Sequence, residues 1–311
     1  MNDTFSANSL RLTPTQWLIA LAIVLVAVIL LPIWADNAEP FTPAESYRLP
    51  FATSEDYWTY HRLTKWTQQK NRALVIGDSV IWGEYVTPSQ TLTHYLGPQY
   101  VNGGLPGAYP LALEGLVRHY CDVRKSKVIL HLNLLWLSSK ERDLQIKGTP
   151  FNHPRLLAQF DSPPAYEASI SEQLGVTVDR HLPIRRWVHH LRITRFEGHD
   201  IHTWSMEHPY RNPLRVEPVA LSDKARHDDR SWKQRGIERQ DISWLTLDSQ
   251  QWQAFTRTVQ LLRDRNNEVF VIVGPFNTHL LTDESRRRYD RLKSQALKWL
   301  REQNVAHHDA K

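Results

Sequence analysis

The hydrophobic pattern divides the chain into stretches of different character. Near the start, Trp17 to Trp34 reads WLIALAIVLVAVILLPIW, 18 residues without a charge. As a helix the run extends roughly 27 Å, close to the hydrocarbon thickness of a bilayer. Trp17 and Trp34 bracket it where interfacial aromatic residues belong, and Pro32 lies near one end. A signal peptide has a shorter apolar run with small residues before the cut. Here a cut after Ala35 or Ala38 leaves Ile33 or Asp36 at the −3 position. The run therefore predicts an uncleaved transmembrane helix over 17–34, behind a short cytoplasmic tail over 1–16. Arg11 and the terminal amine precede it, whereas Asp36 and Glu39 follow it and Arg48 is the first base beyond. Basic flanks stay on the cytoplasmic side, so the remaining chain is expected outside the cytoplasmic membrane. Residues 35–70, with Pro40, Pro43 and Pro50, read as a tether and lead-in.

From Arg72 onward, short apolar runs alternate with helical periodicity. Ala73 to Ile76 is a buried-strand signal ended by Gly77, and Gln99–Asn102, Lys127–Asn133 and Glu268–Gly274 repeat it. Between them Pro88–Leu96 suits a short helix, Tyr109–Tyr120 and Gln251–Arg265 are amphipathic, and Thr282 caps a helix running to about Gln303. This alternation predicts a parallel sheet covered on both faces, with its ligand site at the carboxyl ends of the strands. The domain so defined spans 71–311. Across roughly 143–248 the alternation stops, in a stretch holding eight of the fifteen histidines and 15 bases against 15 acids. So long an irregular insertion predicts a lid or binding loop. Val305–Ala306 opens a further strand shortly before Lys311, where a doubly wound domain normally adds a covering helix. The domain is expected to be cut short there.

Composition narrows the classes. With 41% apolar and 23% charged residues, the chain can bury a globular core, which excludes wholesale disorder. Lys+Arg 38 against Asp+Glu 33 leaves +5, and the acids are interspersed among the bases, so nucleic acid is not an expected partner. The lone Cys121 excludes an internal disulfide framework and a Cys-rich zinc module. His199, His202 and His208 lack a helical frame or a third ligand at the usual spacing, so no metal and no cofactor is expected. Trp204, Trp232 and Trp244 read as packing of the insertion or as platforms for sugar rings.

The sharpest chemical signal is Ile76-Gly77-Asp78-Ser79-Val80-Ile81-Trp82-Gly83, at the end of the first strand. Gly77 permits a sharp turn, Asp78 suits bonding to the backbone of that turn, and Ser79 then stands at the mouth of the sheet. Two further blocks close neighbouring strands: Val101-Asn102-Gly103-Gly104-Leu105-Pro106-Gly107 and Leu130-His131-Leu132-Asn133. Together they resemble the SGNH (GDSL-type) hydrolase family, in sequence over about Ala73–Asn133 and from Gln251 in architecture only. The glycines usual before the asparagine and the aspartate usual after it are absent, and Leu134 follows instead. The resemblance implies a flavodoxin-like three-layer α/β/α fold with a long insertion and Ser79 as nucleophile. It also implies an oxyanion hole made of the Ser79 and Gly107 N–H groups and the Asn133 side chain.

Acyl transfer develops negative charge on a carbonyl oxygen, and each fixed donor there contributes about 3–4 kcal/mol. The serine also needs a base. In the family this is a histidine in an Asp-x-x-His block, and no aspartate of this chain has a histidine three residues later. The loop Gly274-Pro275-Phe276-Asn277-Thr278-His279 faces the same mouth, making Asn277 and His279 candidates for substrate contact, although loop polarity explains them equally. The implied function is a membrane-anchored serine esterase or O-acyltransferase working on acyl esters of envelope glycans. Its partners would be the membrane and a polysaccharide or acyl-donor membrane protein. The alternative is a non-catalytic scaffold of the same type that binds a glycan or joins a membrane complex.

Overall fold

Thr13 and Gln16 close a capping box that opens α1 (Pro14–Ala38), in a computed structural model describing residues 12–39, 41–44, 46–50, 55–137, 153–160, 168–212, 233–234 and 236–310. Its most apolar 18 residues have a mean hydropathy of 3.0, and among the described residues it is the one helix long and apolar enough to cross a membrane. It runs four residues past the apolar stretch, from Trp34 to Ala38. Both ends of the segment 35–70, read as tether and lead-in, pack on the rest of the chain. Asp36 pairs with Arg62 and Lys65, and Glu39 with Arg62 and Arg195. Leu49 is buried, as is the Arg48 side chain. Tyr57–Gln69 forms a further helix, α2, capped by Asp56.

Five strands follow: β1 (Ala73–Gly77), β2 (Tyr100–Gly104), β3 (Lys127–Leu132), β4 (Glu268–Val273) and β5 (Ala306–Asp309). All pair in parallel in the order β2-β1-β3-β4-β5. Parallel strands buried on both faces read as continuous apolar runs, and every residue of β1 is buried. The helices between strands are α3 (Ser79–Trp82), α4 (Leu92–Leu96), α5 (Pro110–His119), α9 (Gln250–Asp264) and α10 (Asp283–Glu302), with α6 (Ile170–His181), α7 (Pro183–Arg195) and α8 (Ile201–Glu207) in the insertion. The helix predicted over 88–96 is split at Thr91, which ends a 3-10 turn and caps α4. α5 packs against α9, α2 against β1 and β2, and α10 against β5. The chain leaves β1 for β2 on one side and returns to β3 on the other. The crevice between the ends of β1 and β3 is thus the switch point where ligands of such sheets bind.

Part of the insertion is helical: α7 packs on α1, α2 and α6. Trp204 is buried in it, stacked on His208 at 5.0 Å, and Trp244 is half-buried against the core. Trp232 and the stretches 138–152, 161–167 and 213–232 lie outside the described residues, and with them much of the expected lid.

Candidate active site

The turn after β1 is shaped by close contact. A methyl group on Gly77 would stand 2.4 Å from Ile81 Cγ1, and one on Gly104 would stand 2.3 Å from the Trp82 main-chain nitrogen. Only glycine lets α3 fold back this tightly over the ends of β1 and β2. Gly83, at φ +87°, ends α3 in the left-handed region that favours glycine. Asn102 then ties β2 to α3, its Nδ2 donating to the Ile81 carbonyl at 2.9 Å.

Asp78 is the hub. It is 1% exposed and accepts from four donors: Val80 N (3.0 Å) and His131 Nδ1 (3.1 Å) on Oδ1, and Asn133 Nδ2 (2.7 Å) and Trp136 Nε1 (2.5 Å) on Oδ2. The backbone bond to Val80 is the one expected of this residue. The three side-chain donors, from the end of β3, are additional. Burial by itself would raise the Asp78 carboxyl, but His131, then Asn133 and Trp136, outweigh it and hold the group below the usual carboxylate range. His131 is buried, and its Nε2 lies 2.8 Å from the Gly274 carbonyl oxygen, which can only accept. The Asp78 carboxylate is likewise an acceptor, and the imidazole held between the two bolts together the ends of β1, β3 and β4.

Ser79 follows the hub. It is half-buried at the start of α3, and among the described residues its hydroxyl and its N–H have no hydrogen-bond partner. Gly107 sits in the turn after β2 at φ +72°, with its N–H likewise unpaired among the described residues. Strand register relates the three predicted residues. The register pairs Ile76 with Gly103 and Leu130, so β1, β2 and β3 end side by side, and Ser79, Gly107 and Asn133 each lie in the chain just past one of those ends. All three follow the carboxyl ends of adjacent strands, on that rim of the sheet, and Asn133 bonds to Asp78, the residue before Ser79. The Asn133 amide is partly committed: Nδ2 donates to Asp78 and Oδ1 accepts from Leu135 N at 3.1 Å, leaving one N–H.

Several residues that build this rim were not singled out from the sequence. Tyr109, just past Gly107, packs its ring on Trp136 with centroids 4.3 Å apart, closing the mouth between the second and third blocks. Burial raises its phenol above the ordinary range. His153 is buried and donates from Nε2 to the Pro106 carbonyl at 2.7 Å, so its Nδ1 accepts from the Tyr57 hydroxyl at 3.0 Å and the ring is neutral. Burial accordingly lowers its pKa. Behind α3, the Arg48 guanidinium lies 4.1 Å above the Trp82 ring and donates to the carbonyls of Trp82, Gly83 and Val86. His131 was the most visible of these, as a lone histidine in the apolar strand KVILHL.

Asn277 and His279 are exposed on the loop after β4, and the one bond joining them is local, from His279 N to Asn277 Oδ1 at 3.2 Å. Asn133 is tied through Asp78 to the turn that carries Ser79, whereas among the described residues neither Gly107 nor the Asn277–His279 pair has a bond to them. No protein-family model and no curated protein matches the chain.

Proposed function

We propose that the chain is a membrane-anchored serine esterase or O-acyltransferase of SGNH type, built on a flavodoxin-like sheet, with α1 as its anchor and the domain on the outer side of the cytoplasmic membrane. One observation carries the reading: a half-exposed serine hydroxyl at the switch point that, like its own main-chain N–H, has no partner among the described residues. The β2-β1-β3-β4-β5 order is that of flavodoxin-like domains. In this mechanism Ser79 Oγ adds to an ester carbonyl, its proton passing through solvent to the departing alcohol oxygen, while the Ser79 and Gly107 N–H groups and the remaining Asn133 N–H receive the developing alkoxide. Expulsion of the alcohol leaves an acyl-serine, which water or a sugar hydroxyl then resolves. Asp78 takes no proton in these steps; it positions Asn133 and fixes the turn that presents Ser79.

A second reading has its own support. No described histidine bonds to Ser79, and His131, one residue away through Asp78, has both nitrogens committed. A scaffold that holds an acylated glycan at this rim without cleaving it needs no base. Treating the full chain with a fluorophosphonate and locating the adduct by mass spectrometry separates the two. An adduct on Ser79 that vanishes in Ser79→Ala supports the enzyme. Absence of any adduct, with retained binding of an acetylated polysaccharide, supports the scaffold.

A further inference from the structure

α6 is built the wrong way round for a helix facing water. Its polar side docks on the domain: Asp179 pairs with Arg155 at 2.9 Å, and Arg180 donates to the carbonyls of Arg155 and Leu157. Its apolar stripe, Ile170, Leu174 and Val178 at i, i+4 and i+8, faces outward, with Leu174 52% and Val178 46% exposed. Leu182, Val188 and Met206 continue the exposed apolar set onto α7 and α8. No large apolar side chain is exposed over 236–310, and the domain's other exposed apolar set, Val80, Tyr85, Leu92, Tyr95 and Leu96, lies apart in the chain over 80–96. Apolar exposure concentrated in this way marks an interaction surface.

The position of α7 identifies what meets that surface. α7 packs on α1, whose buried residues are Pro32 and Ala35, with Ala27 and Val28 half-buried about two turns earlier. Pro32 and Val28 belong to the apolar run, so α7 meets α1 at the level where that run ends. The junction is clamped by Asp36 and Glu39 on Arg62, Lys65 and Arg195, which fixes the posture of the domain against α1. α7 itself, PIRRWVHHLRITR, carries four arginines and no acid. Arg195 is drawn into that clamp and Arg186 lies over the Tyr120 ring, whereas Arg185, paired with Asp179, and Arg192, bonded to a main-chain carbonyl, are exposed. A basic helix beside an outward apolar stripe has the chemistry of an element lying in the membrane interface.

We propose that α6 and α7 lie in the interface of the leaflet from which α1 emerges, with Ile170, Leu174 and Val178 at the boundary of headgroups and acyl chains and the exposed Arg185 and Arg192 among anionic headgroups. The inference rests on reading α1 as a membrane span, and it makes the domain a body seated on the bilayer rather than one swinging from a tether.

The test uses the full chain in vesicles of phosphatidylcholine and phosphatidylglycerol, with an environment-sensitive fluorophore on single cysteines at Leu174→Cys, Val178→Cys, Ile23→Cys and Lys298→Cys. Cys121 is buried and is left in place. All four sites are exposed, so the substitutions spare the packing. The expected result is a blue shift at Leu174→Cys and Val178→Cys, with quenching by shallow doxyl lipids. Ile23→Cys responds to deep doxyl lipids, and Lys298→Cys only to aqueous iodide. If Ile23→Cys is quenched from within the bilayer while the α6 labels stay open to iodide, the proposal fails and the anchor stands. If Ile23→Cys is open to iodide, the anchor reading fails and takes the proposal with it. Labels on α6 shielded from both iodide and doxyl lipids would assign the stripe to a protein partner or a second copy, which also overturns it.

Discussion

Asp78 collects four donors around one carboxylate, and no neutral isostere can replace it. In Asp78→Asn, whichever way the amide is turned, its NH₂ opposes donors: Val80 N and His131 Nδ1 on one side, Asn133 Nδ2 and Trp136 Nε1 on the other. Removing one partner of a buried charged pair costs about 3–5 kcal/mol, and a loss of this order is expected in chemical denaturation of Asp78→Asn. Ser79→Ala is the opposite case. The hydroxyl is half-buried and unpartnered among the described residues, so stability should change by less than about 0.5 kcal/mol while fluorophosphonate labelling disappears. A Ser79→Ala protein destabilised by several kcal/mol would show that the hydroxyl is a packing group. The polar character of Asp78, Ser79 and Asn133 was legible in the sequence, as was their placement at strand ends. Their mutual bonding was not, because Asp78 meets its partners across 53, 55 and 58 positions of chain.

At the scale of elements, glycine contacts give two predictions of opposite sign. A methyl on Gly104 meets the main chain of Trp82 at 2.3 and 2.7 Å, atoms that cannot rotate away. Gly104→Ala should therefore force α3 off β2, cost about 1–3 kcal/mol in denaturant titration, and lower the rate of Ser79 labelling with it. Gly175 lies within α6 with nothing within 4 Å of an added methyl. There Gly175→Ala should stabilise by up to about 1 kcal/mol through helix propensity, read as a raised denaturation midpoint. Elements were legible wherever burial follows a regular period, as in β1, β3, β4, α9 and α10. α2 escaped because its buried side is mostly aromatic and polar, with Tyr57, Trp58, Tyr60, Arg62, Thr64 and Thr67 around a single aliphatic residue, Leu63. Its polar groups are buried through hydrogen bonds, such as Tyr60 to the Gly103 carbonyl at 3.1 Å, which no hydropathy pattern records. α6 escaped for the converse reason, since its apolar stripe points outward.

Over the whole molecule, buried titrating groups give stability a two-stage dependence on pH. His119 and His189 are each lowered to about 4, by burial first and then by neighbouring arginines. A histidine depressed in this way binds protons better when unfolded, so the stability present above about pH 6.5 is lost as pH falls toward about 4. Burial favours raised values for Asp78 and Asp56, but their donors, led by His131 and His190, hold both below the ordinary range. Their contribution is present above about pH 3.9 and is lost as pH falls through the folded values. Thermal unfolding of the full chain in detergent should show Tm declining between pH 6.5 and 4 and again below 4. A Tm constant from pH 7 to 4 would contradict the histidine stage.

The sequence by itself determined the membrane-length apolar helix, the alternation that makes a parallel sheet, and the presentation of Ser79 at the end of its first strand. Each depends on residues within a turn or a strand of one another, where hydrophobic period and backbone preference act directly. Only the tertiary structure decided that Asp78, His131, Asn133 and Trp136 form one network, that Arg48 and His153 hold the rim from behind, and that Asp36 and Glu39 lock α1 onto the domain. Those contacts join segments far apart in the chain. Register, helix docking and the pairing of buried charges select them, and these exist only once the chain has packed.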